Sequence, residues 1–534
     1  MIRKIVTALF GAALSVCALA QNPYLPMWEF IPDGEPYVFE DPDRPGEYRV
    51  YIYGSHDSLV SEYCGLEQVV WSAPVTDLSA WRYDGVIFES VRDGNGNLLR
   101  PDGKGDVLYA PDVALKTAPD GSKKYYFYPN NQAWGRNGMV AVSDRPDGPF
   151  KVCNWDPADP AVTDGVLRFD PAVFVDDDGR VYGYWGFGES WMAELDPETM
   201  ATVKAGCEPL HNVVSGQNDD GVFHFFEASS MRKIGGKYVL IYSRMMPEGE
   251  FGMPQCNYNL AYAYSDNPLG PFTYGGTIID ARARDVDAHG NSVATANPYG
   301  NTHGSLCQAG GQWWVFYHRQ TGTDEYSRQA MVAPVTMEIE DCPGGRVTIR
   351  EAEYTSEGFR TEGLDPLERC EAGWACYLTN PDGVGQDYPH FIFSGSYVQP
   401  VRPDPETGEL PEFCCPVVNN TAGSVVGYKY FNLDRLSGAE HVNLVMNLVP
   451  KGVRGRIVVI AGGPTRAKGG RRVGCIRLGG GDVSRMGSDA DLQLRASVDG
   501  LTALSGKQPV YFVFKSSRKG VSLCDLHNFC FEVE

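Results

Sequence analysis

Beyond its first twenty residues the sequence has no apolar stretch approaching the about 20 residues that a helix needs to cross a bilayer, so no membrane span is expected. Basic residues are in short supply: 46 Lys and Arg stand against 68 Asp and Glu, a net charge of −22. That balance argues against nucleic acid or anionic membrane as partner, since both repel an acidic surface. It is compatible with a neutral poly- or oligosaccharide. Cysteines are present but lack metal spacing; Cys414-Cys415 and Cys370-x5-Cys376 fit no zinc pattern. Helical periodicity is scarce between residues 21 and 340, where short Tyr-, Phe- and Trp-rich runs alternate with Gly, Asp and Pro turns. An all-β fold is expected.

The first twenty residues differ from the rest. Met1-Ile2-Arg3-Lys4 is followed by an apolar run and then Ala18-Leu19-Ala20, the pattern of a secretory signal peptide over 1–20. It implies export to the periplasm, the cell surface or the medium. Thirteen cysteines remain after that leader; the odd number leaves at least one thiol free or paired between chains. Buried free thiols, with a bridge or two, are the expectation.

Five strand-like runs recur: Tyr48–Tyr53, Lys124–Tyr128, Arg180–Tyr184, Tyr238–Tyr242 and Gln312–Tyr317. The strand before each brings a polar residue, in order Asp33, Asp112, Asp170, Glu227 and His303. Five irregular repeats of roughly 65 residues are the signature of a five-bladed β-propeller, whose innermost strands line one axis. The five polar residues are therefore expected to converge. A second repeat, Ser143–Phe150 (SDRPDGPF) and Ser265–Phe272 (SDNPLGPF), marks turns into outer strands. Asp176-Asp177-Asp178-Gly179 reads as a hairpin turn rather than a metal loop. Charge divides the chain further: 28 Lys and Arg against 51 Asp and Glu up to Asp365, then 18 against 17 from Pro366. The propeller is assigned to 21–365. Residues 366–534, with alternating strands at sandwich spacing, are assigned to a jelly-roll-like β-sandwich.

Asp33, Asp170 and Glu227 begin three different blades. They can supply what glycoside hydrolysis requires: a protonated carboxyl for the leaving oxygen, an ionised one to activate water, and a third charge to tune the first. Glu35 competes with Asp33 for the basic role. Tyr109, Trp134, Trp185, His56 and Arg319 are candidates for sugar contact, the tryptophans by stacking. Ser55-His56-Asp57 cannot form a catalytic triad, since triad members must face one another.

Pro32-Asp33-Gly34-Glu35-Pro36, Tyr109-Ala110-Pro111-Asp112-Val113, Arg168-Phe169-Asp170-Pro171-Ala172, Phe226-Glu227-Ala228 and Thr302-His303-Gly304-Ser305 resemble, in order, the blade motifs of glycoside hydrolase family 43. The first departs from the Ala-Asp-Pro run common in relatives. The resemblance implies a five-bladed, inverting enzyme acting on arabinose- or xylose-containing glycans, as an α-L-arabinofuranosidase or β-xylosidase. Asp33 would be the general base, Asp170 the group that tunes the acid and orients substrate, and Glu227 the general acid. No cofactor is required; His303 would hold an axial structural calcium through water, or a water alone. Asp112 would be structural or part of the rim. The sandwich resembles a carbohydrate-binding module of the family 6 type, although Trp374 is its only tryptophan. Two other readings stay open: a glycan-binding propeller without catalysis, and the same enzyme type acting on a galactose-type unit.

Overall fold

The computed structural model describes residues 20–534 apart from 101, 133–137, 157–158, 287–289, 297–299, 380–394, 405, 411–414 and 480–491. All but the last residue of the expected signal peptide, and Trp134, thus lie outside the described residues. Five antiparallel sheets follow in chain order around one axis. Four have four strands: those starting with Glu35–Glu40, Asp112–Thr117, Ala172–Val175 and Phe225–Ile234. The fifth has three, Ser305–Ala309, Gln312–Arg319 and Gln329–Val335. The chain is a five-bladed propeller followed by a sandwich.

The Tyr-rich runs are the second strand of each blade, and their composition follows from that position. Tyr48–Tyr53 and Val181–Trp185 are flanked by strands on both edges, and all but one of their residues are buried. A strand covered on both faces reads as continuously apolar rather than alternating. The incomplete fifth blade is closed by the beginning of the chain. The Tyr24 N–H donates to Ala330 O at 3.3 Å, and Asn22 exchanges hydrogen bonds with the Val332 backbone at 2.7 and 2.9 Å. That segment occupies the edge where a fourth strand would pair.

Below the mouth, polar side chains tie the blades together across the axis. Arg232, on the inner strand of blade four, donates to Glu35 Oε2 at 2.8 Å, to Pro36 O at 3.1 Å and to Leu306 O at 2.9 Å, joining blades four, one and five. Its guanidinium lies over the Tyr37 ring at 4.5 Å. Tyr37 donates to Asp112 Oδ1 at 2.7 Å, while Asp112 Oδ2 accepts from the Val173 N–H at 2.6 Å. Asp112 is thus a clasp between blades. Burial and then Glu35 raise its carboxyl to about 7.

The sandwich has two sheets. One runs Tyr377–Thr379, Val425–Asn432, Lys507–Lys515, Gly455–Ala461, Arg471–Leu478; the other is built around Val442–Pro450 and Cys524–Val533. Tyr428, Phe431, Phe512, Phe529 and Phe531 interlock between them. The chain joins the sandwich before residue 366: Ser356 and Leu364 N–H groups already donate to Lys429 O and Tyr430 O at 2.7 and 2.8 Å. Arg319 fastens the two halves. Buried in blade five, it donates to Ala375 O at 2.9 Å, to Gly373 O, and at 2.8 and 3.1 Å to Gln329 Oε1. Gln329 in turn donates to Met27 O at 2.7 Å. Cys64, Cys256, Cys307, Cys370, Cys376 and Cys524 are buried free thiols.

Candidate active site

Asp33, Asp170 and His303 each stand two residues before the inner strand of their blade, at the mouth of the axis. In blade two that offset falls on Ala110, and Asp112 lies two residues deeper. This is why Asp112 does not join the other four, contrary to the convergence of five polar residues expected above. Glu227 reaches the mouth differently. It lies inside the strand Phe225–Ile234, where the register slips on either side of it, a bulge of the kind that re-aims a side chain. Phe225 is thereby buried against Tyr242, and Phe226 faces the cleft. Asp33, Asp170 and Ala228 have φ of 59, 45 and 66°. Left-handed backbone at such residues costs of order 1–3 kcal/mol each and is held only where surrounding contacts impose it.

Asp33 is held on all sides. Ser55 Oγ donates to Oδ2 at 2.6 Å, and Arg328 Nη1 stands 3.2 Å from Oδ1. The Asp33 N–H donates to His318 Nδ1 at 3.1 Å. A backbone N–H can only donate, so His318 Nδ1 is bare and Nε2 carries the proton, directed to Asn301 O at 2.8 Å. Burial drives His318 down to about 3, keeping it neutral. Burial alone would raise Asp33, but the Arg328 charge and the surrounding donors carry it below its ordinary value. Asp33 is ionised.

Asp170 and Glu227 move the other way. Asp170 Oδ2 accepts from the Ala228 N–H at 3.2 Å, and Oδ1 accepts from Asn130 at 2.9 Å. Burial, and the Asp33 charge, raise it to about 6 against the opposing pull of His303. Glu227 is lifted well above the carboxylate range, first by burial and then by Asp170. One carboxyl held low and one pushed high therefore share the cleft, with a third between them in effect.

His303 lies on the axis beneath, Nδ1 3.7 Å from Asp170 Oδ2 and Nε2 3.8 Å from Glu35 Oε1. Burial would lower it, yet Glu35, Asp170 and Asp33 together bring it to about 9. Among the described residues no group of three or more His, Cys, Asp or Glu side chains could hold a metal directly. Glu35 Oε1 is nevertheless buried without a hydrogen-bond partner, so a cation at this level would be held through water by Glu35 and by His303 in its neutral form.

The cleft, about 890 Å³, is also lined by Tyr63, Tyr109, Phe169, Phe187, Phe226, Glu248, Asn301, Glu325 and Tyr326, within the usual range for a small-ligand site. Phe187 rests between Phe169 and Phe226, ring centroids 4.9 and 5.1 Å apart, and is 55% exposed. Its loop is pinned from both sides: Gly186 N–H to Phe169 O at 3.0 Å, Gly188 N–H to Phe226 O at 2.6 Å. Both glycines have positive φ, and a Cβ at Gly186 would stand 1.9 Å from Glu189 O. The turn demands them.

Of the sugar-contact candidates, Tyr109 lines the cleft. Trp185 does not: it is buried in the core of blade three, stacked on Trp191. Arg319 does not either, being spent on the sandwich carbonyls. His56 points away from the cleft, between Glu29 at 3.1 Å and Glu67 at 3.5 Å; its neighbours matter instead, Ser55 through Asp33 and Asp57 through Arg328 at 2.8 Å. Arg328 and Phe187 were not singled out from the sequence. Phe187 sits two residues after Trp185 in a Gly-Phe-Gly turn, which was the available signal.

A family model, Glycosyl hydrolases family 43, matches residues 40–343; Asp170, Glu227 and His303 lie within that span and Asp33 just before it. Over 435 residues the chain is 34% identical to a xylosidase/arabinosidase of Thermoclostridium stercorarium, covering 77% of this chain and 82% of that one. It is 30% identical over 333 residues to an arabinoxylan arabinofuranohydrolase of Paenibacillus polymyxa, 57% of this chain and 45% of that one. A solved arabinoxylan arabinofuranohydrolase from Bacillus subtilis, in complex with cellotetraose, aligns over 96% of this chain and 97% of its own, at 21% identity and a TM-score of 0.46.

Proposed function

The chain belongs to the glycosyl hydrolases of family 43 and is a glycoside hydrolase of the arabinofuranosidase or xylosidase type, and we propose that it removes arabinofuranosyl or xylosyl units from plant-type glycans by single displacement. The observation that carries this reading is that one cleft holds both Asp33, braced by Ser55 and Arg328 and lowered, and Glu227, buried and raised by Asp170. Glu227 donates its proton to the glycosidic oxygen as the bond to the anomeric carbon breaks. Asp33 takes a proton from water, whose oxygen forms the new bond from the opposite face. The sugar leaves with inverted configuration and no covalent intermediate. Asp170 contributes charge rather than a bond: ionised, it makes deprotonation of Glu227 costly. Phe187 and Tyr109 offer apolar faces to the sugar rings.

No cofactor is needed for these steps. A calcium ion at the axis would be held through water by His303 and Glu35, and would supply positive charge beneath Asp170. The signal-peptide-like pattern over 1–20 would place this action outside the cell, and the sandwich would serve as a carbohydrate-binding module.

Hydrolysis of nitrophenyl α-L-arabinofuranoside, β-D-xyloside and β-D-galactoside, followed by proton NMR of the sugar before mutarotation, tests the proposal. Turnover of one of the first two with inversion is expected. Turnover of the galactoside alone would replace the sugar assignment, and retained configuration would overturn the mechanism.

A further inference from the structure

Between Lys451 and Lys519 the chain holds fourteen Lys and Arg and four Asp, an inversion of the charge balance elsewhere. Some of these cations are paired: Lys451 with Asp525, Lys468 with Asp285, Arg495 with Glu532 and Lys507 with Glu357. Arg454, Arg456, Arg477, Lys515, Arg518 and Lys519 are exposed and form no ion pair among the described residues. The first four line a groove of about 760 Å³ with Ser516 and Ser517. Strand register aligns three of them, Arg456 standing opposite Arg477 on one side and Lys515 on the other. Neighbouring strands are about 4.8 Å apart, and like charges directly opposite one another destabilise a sheet. Nothing among the described residues offsets that row; an anion laid across it would.

We propose that this groove on the sandwich binds a carboxylate-bearing polysaccharide, one with uronic acid units spaced along an otherwise neutral chain. The choice among anions follows from the rest of the molecule. The propeller half carries the acidic excess, so a densely charged polymer or membrane gathered at the sandwich is repelled from the cleft. A sparsely acidic glycan meets both surfaces: its carboxylates pair with guanidinium groups, which suit them geometrically, and its neutral stretches remain free to enter an acidic active site. The proposal rests on the glycan reading above for its choice of partner.

Affinity electrophoresis and calorimetry of the full chain with a glucuronic-acid-substituted xylan test it, beside the same polymer with its carboxyls reduced to alcohols. The acidic polymer is expected to bind at least about tenfold more tightly than the reduced one, and to weaken between ~50 and ~200 mM salt as screening predicts. The double variant R456E/K515E is expected to lose that preference while kcat/KM on the nitrophenyl substrate stays unchanged. Equal binding of both polymers, or an unaltered double variant, would overturn the proposal. So would equal or tighter binding of duplex DNA, or of vesicles containing phosphatidylserine. Salt-reversible dimers abolished by the double variant would assign the groove to the acidic half of a second copy, and also overturn it. Binding is read without turnover, so failure of the substrate panel and failure of this experiment are separate results.

Discussion

Replacing Arg328 by Gln should move the acid limb of the pH–rate profile upward. The guanidinium lies 3.2 Å from Asp33 Oδ1 and 2.8 Å from Asp57 Oδ1, all three groups buried. Burial raises Asp33, and Arg328 is the chief charge opposing it. A neighbouring opposite charge at this range shifts a carboxyl by about 1–3 pH units. Without it the Asp33 carboxyl rises, protons persist on the base to higher pH, and kcat/KM, which reports the free enzyme, falls on the acid side. His318 is neutral and His303, Asp170 and Glu227 remain in place, so no other group in the cleft restores the lost charge. Asp57 also loses its partner, and breaking a buried pair costs about 3–5 kcal/mol, so a lower Tm is expected in the same variant. Arg328→Lys separates the two effects: it keeps the cation, and its acid limb should stay near that of the parent even where stability drops. An unmoved limb in Arg328→Gln, or equal movement in both variants, would refute the argument that Arg328 sets the state of the base.

Glu227→Gln should lower activity by about a hundredfold to ten-thousandfold on substrates with poor leaving groups, and far less on nitrophenyl glycosides; equal losses on both would remove the acid assignment. The alkaline limb of the parent should report Glu227 and lie well above the usual carboxylate range, a position the Gln variant should abolish. Phe187→Ala should raise KM about tenfold with kcat little changed, as expected for ~1.5 kcal/mol of apolar contact; a change confined to kcat would contradict a stacking role. Dialysis against a chelator should remove calcium, measured by mass spectrometry, and lower Tm; unchanged Tm with no metal found would give the His303 position to water.

The fold was legible because strand order in a propeller is written locally. Four of the five blades place their most aromatic strand second, where both faces are covered, and the second strand of blade four is almost wholly buried, so five such runs can be counted. The polar residues were legible in part: Asp33, Asp170, Glu227 and His303 each precede an aromatic second strand and reach the mouth, but Asp112 reads the same way in sequence and only the strand bounds place it deeper. What the sequence hid depends on register. His318 and Arg319 are adjacent, yet alternation sends one to Asp33 and the other to the sandwich, and the same parity separates Arg328 from Gln329 across the strand pair. Choosing Arg328 over Arg319 required knowing which face is the cleft. Trp185 failed as a stacking residue because it belongs to a second strand, whose side chains fill the space between blades, whereas the turn just beyond it presents Phe187.

The bond between Arg319 and the carbonyls of Gly373 and Ala375 bears on how such a protein can be rearranged by recombination. A cassette that moves freely between genes meets its host through side chains that water can satisfy equally well. Here the recipient surface is backbone oxygen buried beneath a guanidinium, and the same guanidinium is braced by Gln329, whose amide continues to Met27 near the start of the chain. A propeller that discarded its sandwich would keep a cation with two acceptors missing, and a sandwich grafted elsewhere would carry two carbonyls without their donor. Positions 319, 329 and the 373–375 turn are therefore expected to change together or not at all, and chimeras cut near residue 366 should recover solubility only when residue 319 travels with the turn it holds.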